Sequence, residues 1–286
     1  MRRLVWLASY PKSGNTWVRL LLDAYNHPDQ PLPDINDIRS SLHVASRELF
    51  DRVIGVETSD LTDSEIDALR PEVYRHLAGE GEEPLFLKVH DAWQRTDQGV
   101  ALFPGDVTLV AVYIVRDPRA VAPSYANHNG VTIDRAIEQM AHDHHALAQT
   151  SRRLSHQLHQ FMGSWSDHVT SWLDQGEMPV HLVRYEDLHA ATAATFAGIL
   201  QAAGLPVDQA RVDKAVAATA FAHLQAQEDA ASFRERPSSA ERFFRRGQAD
   251  SWREELTPAQ IERIIADHGP VMARLGYLDN SQGDKH

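Results

Sequence analysis

Cysteine is absent from the 286 residues of this chain. Disulfide bonds, thiol nucleophiles and cysteine-ligated zinc are therefore excluded. Long apolar runs are absent too, since no stretch approaches the roughly 20 residues of a membrane-spanning helix. Met1-Arg2-Arg3 leads into a short strand pattern and not into the apolar core of a signal peptide. We therefore expect a cytoplasmic protein with no membrane partner.

Positive charge is in short supply as well. The chain carries 28 Lys and Arg residues against 40 Asp and Glu residues, which gives a formal net charge of −12. Because nucleic-acid binders rely on a broad basic surface, we expect no nucleic-acid partner. A small anionic ligand is compatible with this balance, since a few basic side chains can oppose the overall sign locally.

What is present is an ordinary globular composition, 43% hydrophobic and 24% charged. The length fits one domain over residues 1–286, with a mobile loop at about 225–245 and a frayed tail at about 279–286. Among the sixteen histidines, His142 and His145 have the spacing to share a helix face. No H-E-x-x-H pattern accompanies them, so we expect a solvated histidine-rich face and no metal site.

A strand–loop–helix pattern opens the chain, with apolar residues 4–8 before the loop and an amphipathic segment to about Tyr25 after it. The loop reads Tyr10-Pro11-Lys12-Ser13-Gly14-Asn15-Thr16-Trp17. Unpaired backbone N–H groups at a helix N-terminus bind anions, Lys12 adds a positive charge, and Gly14 lets the backbone approach an oxyanion. The common nucleotide loop G-x-x-x-x-G-K-[ST] differs, because here the lysine precedes the glycine.

This loop resembles the 5′-phosphosulfate loop of the sulfotransferases that use PAPS (3′-phosphoadenosine 5′-phosphosulfate), whose signature is Y-P-K-S-G-x-T-W. Those enzymes transfer the sulfuryl group of PAPS to an acceptor and release PAP. The resemblance implies that the loop binds the phosphosulfate through Lys12, Ser13, Gly14, Asn15, Thr16 and Trp17.

Residues 84–90 form a short apolar strand pattern that ends on Lys88 and His90. Both side chains point to one side of the strand, at the carboxyl end where α/β sheets bind ligands. A lone histidine in such a place is usually structural or solvated. Sulfotransferases carry K-x-H here, and the resemblance implies that His90 removes the hydroxyl proton of the acceptor. Asp91 and Ala92 follow, without the proline that the family usually has two residues after the histidine.

Residues 107–115 are the most continuous apolar run and predict a central strand buried on both faces. A helix with Pro118 near its N-terminus should follow and carry Ser124. The resemblance implies that Arg116 and Ser124 bind the 3′-phosphate, since the family has an arginine and a serine at this spacing. Asp117 resembles the magnesium-orienting aspartate of P-loop NTPases, but a helix cap or an ion pair is the simpler interpretation.

The second half of the chain contains further sulfotransferase-like segments. Residues 131–176 have a helical pattern, a strand at about 180–183 precedes Tyr185, and a basic Phe-Phe-Arg-Arg-Gly segment precedes Trp252. The family motif R-K-G-x-x-x-x-W matches this segment with Arg246 in the lysine position. The resemblance implies that the adenine and the 3′-phosphate are bound by Tyr185, Thr219, Phe221, Phe243, Arg245, Arg246 and Gly247.

The predicted fold class is α/β, a P-loop-like parallel sheet of about four or five strands with helices on both faces. The resemblance implies sulfuryl transfer from PAPS to a hydroxyl, or an amine, of a small molecule, without a metal. His90 would act as base, Lys12 would stabilise the bridging oxygen and Lys88 the equatorial oxygens, while Ser124 would draw Lys12 aside until the acceptor arrives.

Three alternatives stay open from the residues. A P-loop kinase would use ATP and magnesium, a non-catalytic protein would bind PAP without transfer, and a dehydratase would use sulfation as an activating step. The acceptor is not legible in the sequence, and a homodimer is neither required nor excluded.

Overall fold

The computed structural model describes residues 3–30, 32–79, 83–148 and 155–278. Within these residues five strands form one parallel sheet, in the order β2-β3-β1-β4-β7, and β5 and β6 form a separate antiparallel pair. The strands are β1 Leu4–Ala8, β2 Leu42–His43, β3 Leu85–Val89, β4 Thr108–Val115, β5 Ala146–Leu147, β6 Gln160–Phe161 and β7 Val180–Arg184.

Helices cover both faces of the sheet, as the sequence predicted. Those before the β5–β6 pair are α1 Asn15–Asn26, α2 Arg47–Ile54, α3 Asp63–Gly79, α4 Pro118–Asn129 and α5 Ile133–Ala141. Those after it are α6 Trp165–Asp174, α7 Tyr185–Ala190, α8 Thr192–Ala202, α9 Gln209–Ala218, α10 Phe221–Ala231, α11 Trp252–Glu255 and α12 Pro258–Arg274.

Alternation along the strands divides the core between the two faces. In β1, Trp6 packs against α3 and α6, while Val5 and Leu7 pack against α1, α8 and α9. The strand β4 lies between β1 and β7 and is buried on both faces, which confirms the prediction of a central strand for its apolar run. Because all five strands are parallel, their carboxyl ends lie at one edge of the sheet.

Two segments differ from the sequence-based predictions. Residues 131–176 are not continuously helical, because α5 and α6 are separated by the β5–β6 pair. The first residues of the predicted loop at 225–245 are helical, because α10 continues to Ala231. The irregular segment runs over residues 232–251, between α10 and α11. The tail at 279–286 lies outside the described residues.

Candidate active site

A cavity of about 810 Å³ opens at the carboxyl edge of the sheet. All of the sequence-predicted site residues lie within the described part of the chain, and every one of them except Ser13 lines this cavity. The loop after β1, the ends of β3 and β4, and the segment 243–247 therefore meet in one place. Sequence analysis did not identify His43, His128 and Glu235, which line the cavity too.

The loop between β1 and α1 has the backbone of an anion cradle. Lys12 and Gly14 both have positive φ, 69° and 105°, and Gly14 is the N-cap of α1. The side-chain nitrogen of Asn15 donates to the carbonyl of Leu7 at 2.8 Å, which ties the loop to β1. The hydroxyl of Ser13 is buried without a hydrogen-bond partner in the described residues, so it is left to bond a ligand.

We predict that Gly14→Ala destabilises the protein by about 1–3 kcal/mol, since alanine resists this backbone conformation. A Cβ at this position would lie 2.7 Å from Cδ2 of Tyr185, so the ring would have to move as well. Urea unfolding measures the change. Gly79→Ala is the matched control because a Cβ there meets nothing within 4 Å. Equal stability of the two variants would contradict the prediction.

The ammonium of Lys12 is held inside the cavity by an aromatic ring and an imidazole. Its Nζ lies 3.8 Å from the ring centre of Phe243 and 3.5 Å from Nδ1 of His128. Burial, with Arg116 and Lys88 nearby, lowers the pKa of Lys12 to about 7. An anion bound beside Lys12 would offset this penalty and favour the charged form.

The ring of His90 has a defined tautomer. Its Nδ1 lies 2.8 Å from the carbonyl oxygen of Ser9, which can only accept, so Nδ1 carries the proton and Nε2 has the free lone pair. Burial and the charge of Lys88 lower the pKa of His90 to about 3. The ring is therefore neutral, as a base must be before it takes a proton.

A second buried histidine holds the backbone of His90. Nε2 of His168 donates to the carbonyl of His90 at 3.0 Å, and Nδ1 of His168 accepts from the hydroxyl of Tyr113 at 2.8 Å. Burial lowers the pKa of His168 to about 4, which keeps its ring neutral between these two hydrogen bonds. The position of His90 is thus fixed through both its ring and its main chain.

Glu235 binds two buried cations at the wall of the cavity. Its carboxylate lies 3.1 Å from Nζ of Lys88 and 2.7 Å from a guanidinium nitrogen of Arg19. Burial alone would raise the pKa of Glu235, but the two cations lower it well below the ordinary value. No sequence pattern indicated this contact, because Glu235 lies in a polar segment that resembles a surface loop.

Arg116 joins the first loop to the last motif. Its guanidinium donates to the carbonyl of Lys12 at 3.3 Å and to that of Gln248 at 3.0 Å, and it lies 4.3 Å from the ring centre of Tyr185. Asp117 accepts from the backbone N–H of Arg119 as the N-cap of α4 and pairs with that residue's guanidinium. The capping interpretation of Asp117 is therefore confirmed.

The two arginines of the last motif have carboxylate partners in this structure. Arg245 forms a two-bond ion pair with Glu255, and Arg246 lies 3.0 Å from Glu254. Gly247 has a φ of 63°, and a Cβ there would lie 2.5 Å from the ring of Phe221. Binding of a phosphate by these arginines therefore requires an exchange of ion-pair partners.

The cluster of His142, His144 and His145 lies after α5 and not on a helix face, and it does not form a metal site. Within the described residues, no group of three or more His, Cys, Asp or Glu side chains could hold a metal ion. Nε2 of His145 and the hydroxyl of Tyr125 share a hydrogen bond of 2.7 Å, while His142 and His144 are exposed. No described helix is long and apolar enough to cross a membrane.

Comparison with known proteins decides the family. A family model described as a sulfotransferase domain matches residues 2–276. The chain belongs to the sulfotransferase family. This sulfotransferase is 25% identical to sulfotransferase 1A1 of Canis lupus familiaris over an alignment of 290 residues, gaps included. The alignment covers 96% of this chain and 85% of that protein.

Solved structures share the fold of this sulfotransferase. Retinol dehydratase in complex with androsterone and the inactive cofactor PAP is similar with a TM-score of 0.63 and 18% identity, covering 95% of this chain and 81% of that chain. Mouse sulfotransferase SULT7A1 complexed with PAP has a TM-score of 0.56 and 18% identity, covering 94% and 85%. The predicted fold class and the prediction of a PAPS-dependent sulfotransferase are confirmed, and the kinase alternative is not favoured.

Proposed function

We propose that this sulfotransferase moves the sulfuryl group of PAPS to a hydroxyl of a small-molecule acceptor, with His90 as base and Lys12 and Lys88 as the stabilising cations. The observation that carries this assignment is their convergence on one cavity beside the anion-binding loop. The structures of retinol dehydratase, solved with PAP and androsterone or with PAP and retinol, support it by analogy of fold.

The donor is held by the loop after β1 and by aromatic rings of the cavity lining. The α1 N-terminus and the unpartnered hydroxyl of Ser13 bind the 5′-phosphosulfate. The adenine lies among Trp17, Tyr185 and Phe221, which line the cavity. Thr219 lines the cavity too, and its hydroxyl donates to the carbonyl of Ala215 at 2.9 Å.

The transfer step moves charge from the attacking oxygen to the bridging oxygen of PAP. The attacking hydroxyl gives its proton to Nε2 of His90 as its oxygen bonds to sulfur, and the bond from sulfur to the bridging oxygen breaks. Lys12 stabilises the bridging oxygen, and Lys88 stabilises the other sulfuryl oxygens. Ser124 and His128 are one helical turn apart on α4, so they share the face that lines the cavity near Lys12.

Lys88 has to exchange partners when the donor binds. Its ammonium donates to the carboxylate of Glu235 at 3.1 Å. Arg19 contacts the same carboxylate, so Glu235 keeps one cation when Lys88 turns to the ligand. The remaining ion pair with Arg19 lowers the free-energy cost of keeping the Glu235 carboxylate buried.

Calorimetric titration of PAP, with ATP plus Mg²⁺ as comparison, tests the donor. We predict that PAP binds without metal and more tightly than ATP, and that Arg116→Ala weakens PAP binding by about 10- to 100-fold, since bonds to charged groups contribute roughly 1.5–3 kcal/mol. Arg135→Ala is the matched control, because Arg135 is exposed and lies outside the cavity lining. Unchanged PAP affinity in Arg116→Ala would remove it from the 3′-phosphate site, and a preference for ATP with Mg²⁺ would refute the donor.

A further inference from the structure

His43 stands on the same side of the sheet as the proposed catalytic residues. The strand β2 pairs with β3 so that His43 lies opposite Lys88, and partners in a parallel pair point to the same face. Lys88 and His90 are two residues apart and share that face. His43 also lines the cavity. The cavity wall next to His90 is therefore polar.

The hydrogen bond made by His43 determines which of its ring nitrogens carries the proton. The backbone N–H of Ala45 donates to Nδ1 of His43 at 3.2 Å, so Nδ1 is unprotonated. Burial, with Lys88 and His90 nearby, lowers the pKa of His43 well below its ordinary value, and the ring is neutral. Nε2 of His43 is consequently an N–H donor, with no protein partner among the described residues.

His128, on α4, is also a neutral ring that offers an N–H group. Its Nδ1 lies 3.5 Å from Nζ of Lys12. When the donor anion is bound, Lys12 is charged and can only donate, so the ring proton of His128 then lies on Nε2. Burial and the charges of Lys12 and Lys88 lower the pKa of His128 to about 3. Ser239 donates to the carbonyl of His128 at 2.9 Å and fixes its helix end. The part of the chain that is described offers Nε2 no hydrogen-bond partner.

The three rings thus present different atoms. His90 offers a lone pair, whereas His43 and His128 each offer an N–H group. We propose that His43 and His128 bind two acceptor oxygens other than the reacting hydroxyl, which makes the acceptor a polyhydroxylated, sugar-like compound. This inference rests on the proposed function and names the acceptor class for the same site.

An acceptor with a single oxygen would leave both N–H groups without an acceptor oxygen. Each hydrogen bond that such an acceptor cannot make forgoes about 0.5–1.5 kcal/mol, the usual net contribution of one bond. Sites built to bond a substrate hydroxyl reject analogues that lack it far more strongly than apolar pockets reject a missing methylene. Asn129 and Gln157 line the cavity as well and add polar groups to it.

Sulfate transfer from radiolabelled PAPS to matched acceptors tests the proposal. The panel pairs myo-inositol with cyclohexanol and methyl glucopyranoside with tetrahydropyran-2-methanol, so that both members of a pair offer an aliphatic hydroxyl on the same kind of ring. We expect kcat/KM to be about tenfold or more higher for the polyhydroxylated members, as hydrogen-bond discrimination requires. A higher value for the monohydroxylated members, or no transfer to any polyhydroxylated member, would overturn it.

Variants separate recognition from folding. His43→Leu should raise KM for the best polyhydroxylated acceptor by about tenfold or more, with a much smaller change in kcat, since a lost bond to a neutral donor weakens acceptor binding. His43→Gln retains an N–H group and should restore most of the affinity. His128→Leu should raise KM too, together with a change in kcat because the ring contacts Lys12. His144→Leu is the control, since His144 is exposed.

The outcomes also distinguish this inference from the proposed function. Wild-type protein that binds PAP and sulfates only monohydroxylated acceptors would keep the function and refute the acceptor class. Wild-type protein that fails to bind PAP would refute the function itself. If His43→Leu lowered kcat and the melting temperature with no change in KM, the ring would be structural and the proposal would be wrong.

Discussion

Replacing His90 with asparagine is expected to lower kcat by about 10²- to 10⁴-fold, the usual contribution of a general base. The amide of asparagine can donate to the carbonyl of Ser9 as Nδ1 does now, at 2.8 Å, so the local fold should survive. No atom would remain to take the proton of the attacking hydroxyl. Steady-state sulfate transfer measures the effect, and titration of PAP should show nearly unchanged affinity.

Two results would count against this role of His90. A parallel loss of PAP affinity would mean that the variant disturbs the donor site, and kcat within a few-fold of wild type would assign the proton to another group. His144→Asn is the matched control, because this exposed histidine lies outside the cavity lining. The control should have wild-type turnover and PAP affinity.

Asp91→Ala is expected to destabilise the protein by about 3 kcal/mol, the low end for a broken buried ion pair, because it leaves the buried guanidinium of Arg70 with only the partly exposed Asp67, at 3.1 Å, as ionic partner. Both carboxylate oxygens of Asp91 accept from Arg70 at 2.8 Å, and both side chains are 0% exposed. Arg70 also donates to the hydroxyl of Tyr74 at 2.8 Å. Urea unfolding measures the loss. The matched control is Asp174→Ala, which breaks the exposed pair with Arg274 and should change stability little.

A double variant identifies the cause of that loss. Arg70→Met with Asp91→Leu removes both charges and keeps apolar volume, so it should recover most of the stability lost in Asp91→Ala. If the double variant were as unstable as Asp91→Ala, lost packing and not the buried charge of Arg70 would explain the lower stability.

The Arg70–Asp91 pair also explains how the chain holds the turn after His90 without the family's proline. The carboxylate is anchored on α3, and Trp172 on α6 donates to the carbonyl of Asp91 at 2.9 Å. The main chain on both sides of the base is therefore bonded to buried groups. A rigid turn can be built either by a fixed φ or by such contacts.

The errors of the sequence-based predictions have local physical causes. The part of α10 from residue 225 onward was predicted as loop because this helix has no regular apolar face. It buries Glu228, whose carboxylate accepts from the backbone N–H groups of Phe243 and Phe244 at 2.7 and 2.9 Å. A buried acid interrupts the apolar period by which helices are identified. The β5–β6 pair was missed because strands of two residues each are too short to show alternation.

The donor side of this protein could be predicted from the sequence, and the acceptor side could not. The phosphosulfate loop, the K-x-H strand end and the central strand each combine their chemistry and their local structure in a few adjacent residues, and short-range backbone preferences suffice to shape them. His43 and Glu235 come from distant segments without a motif, and His128 lies one helical turn beyond Ser124 without being part of a motif. The pairing of β2 with β3 brings His43 to Lys88, the folding of residues 232–251 brings Glu235 to the cavity, and the packing of α4 brings His128 to Lys12. The protonation of the histidines was decided there as well, because the hydrogen-bond partners that set a tautomer, and the burial and neighbouring charge that set a pKa, exist only in the folded chain.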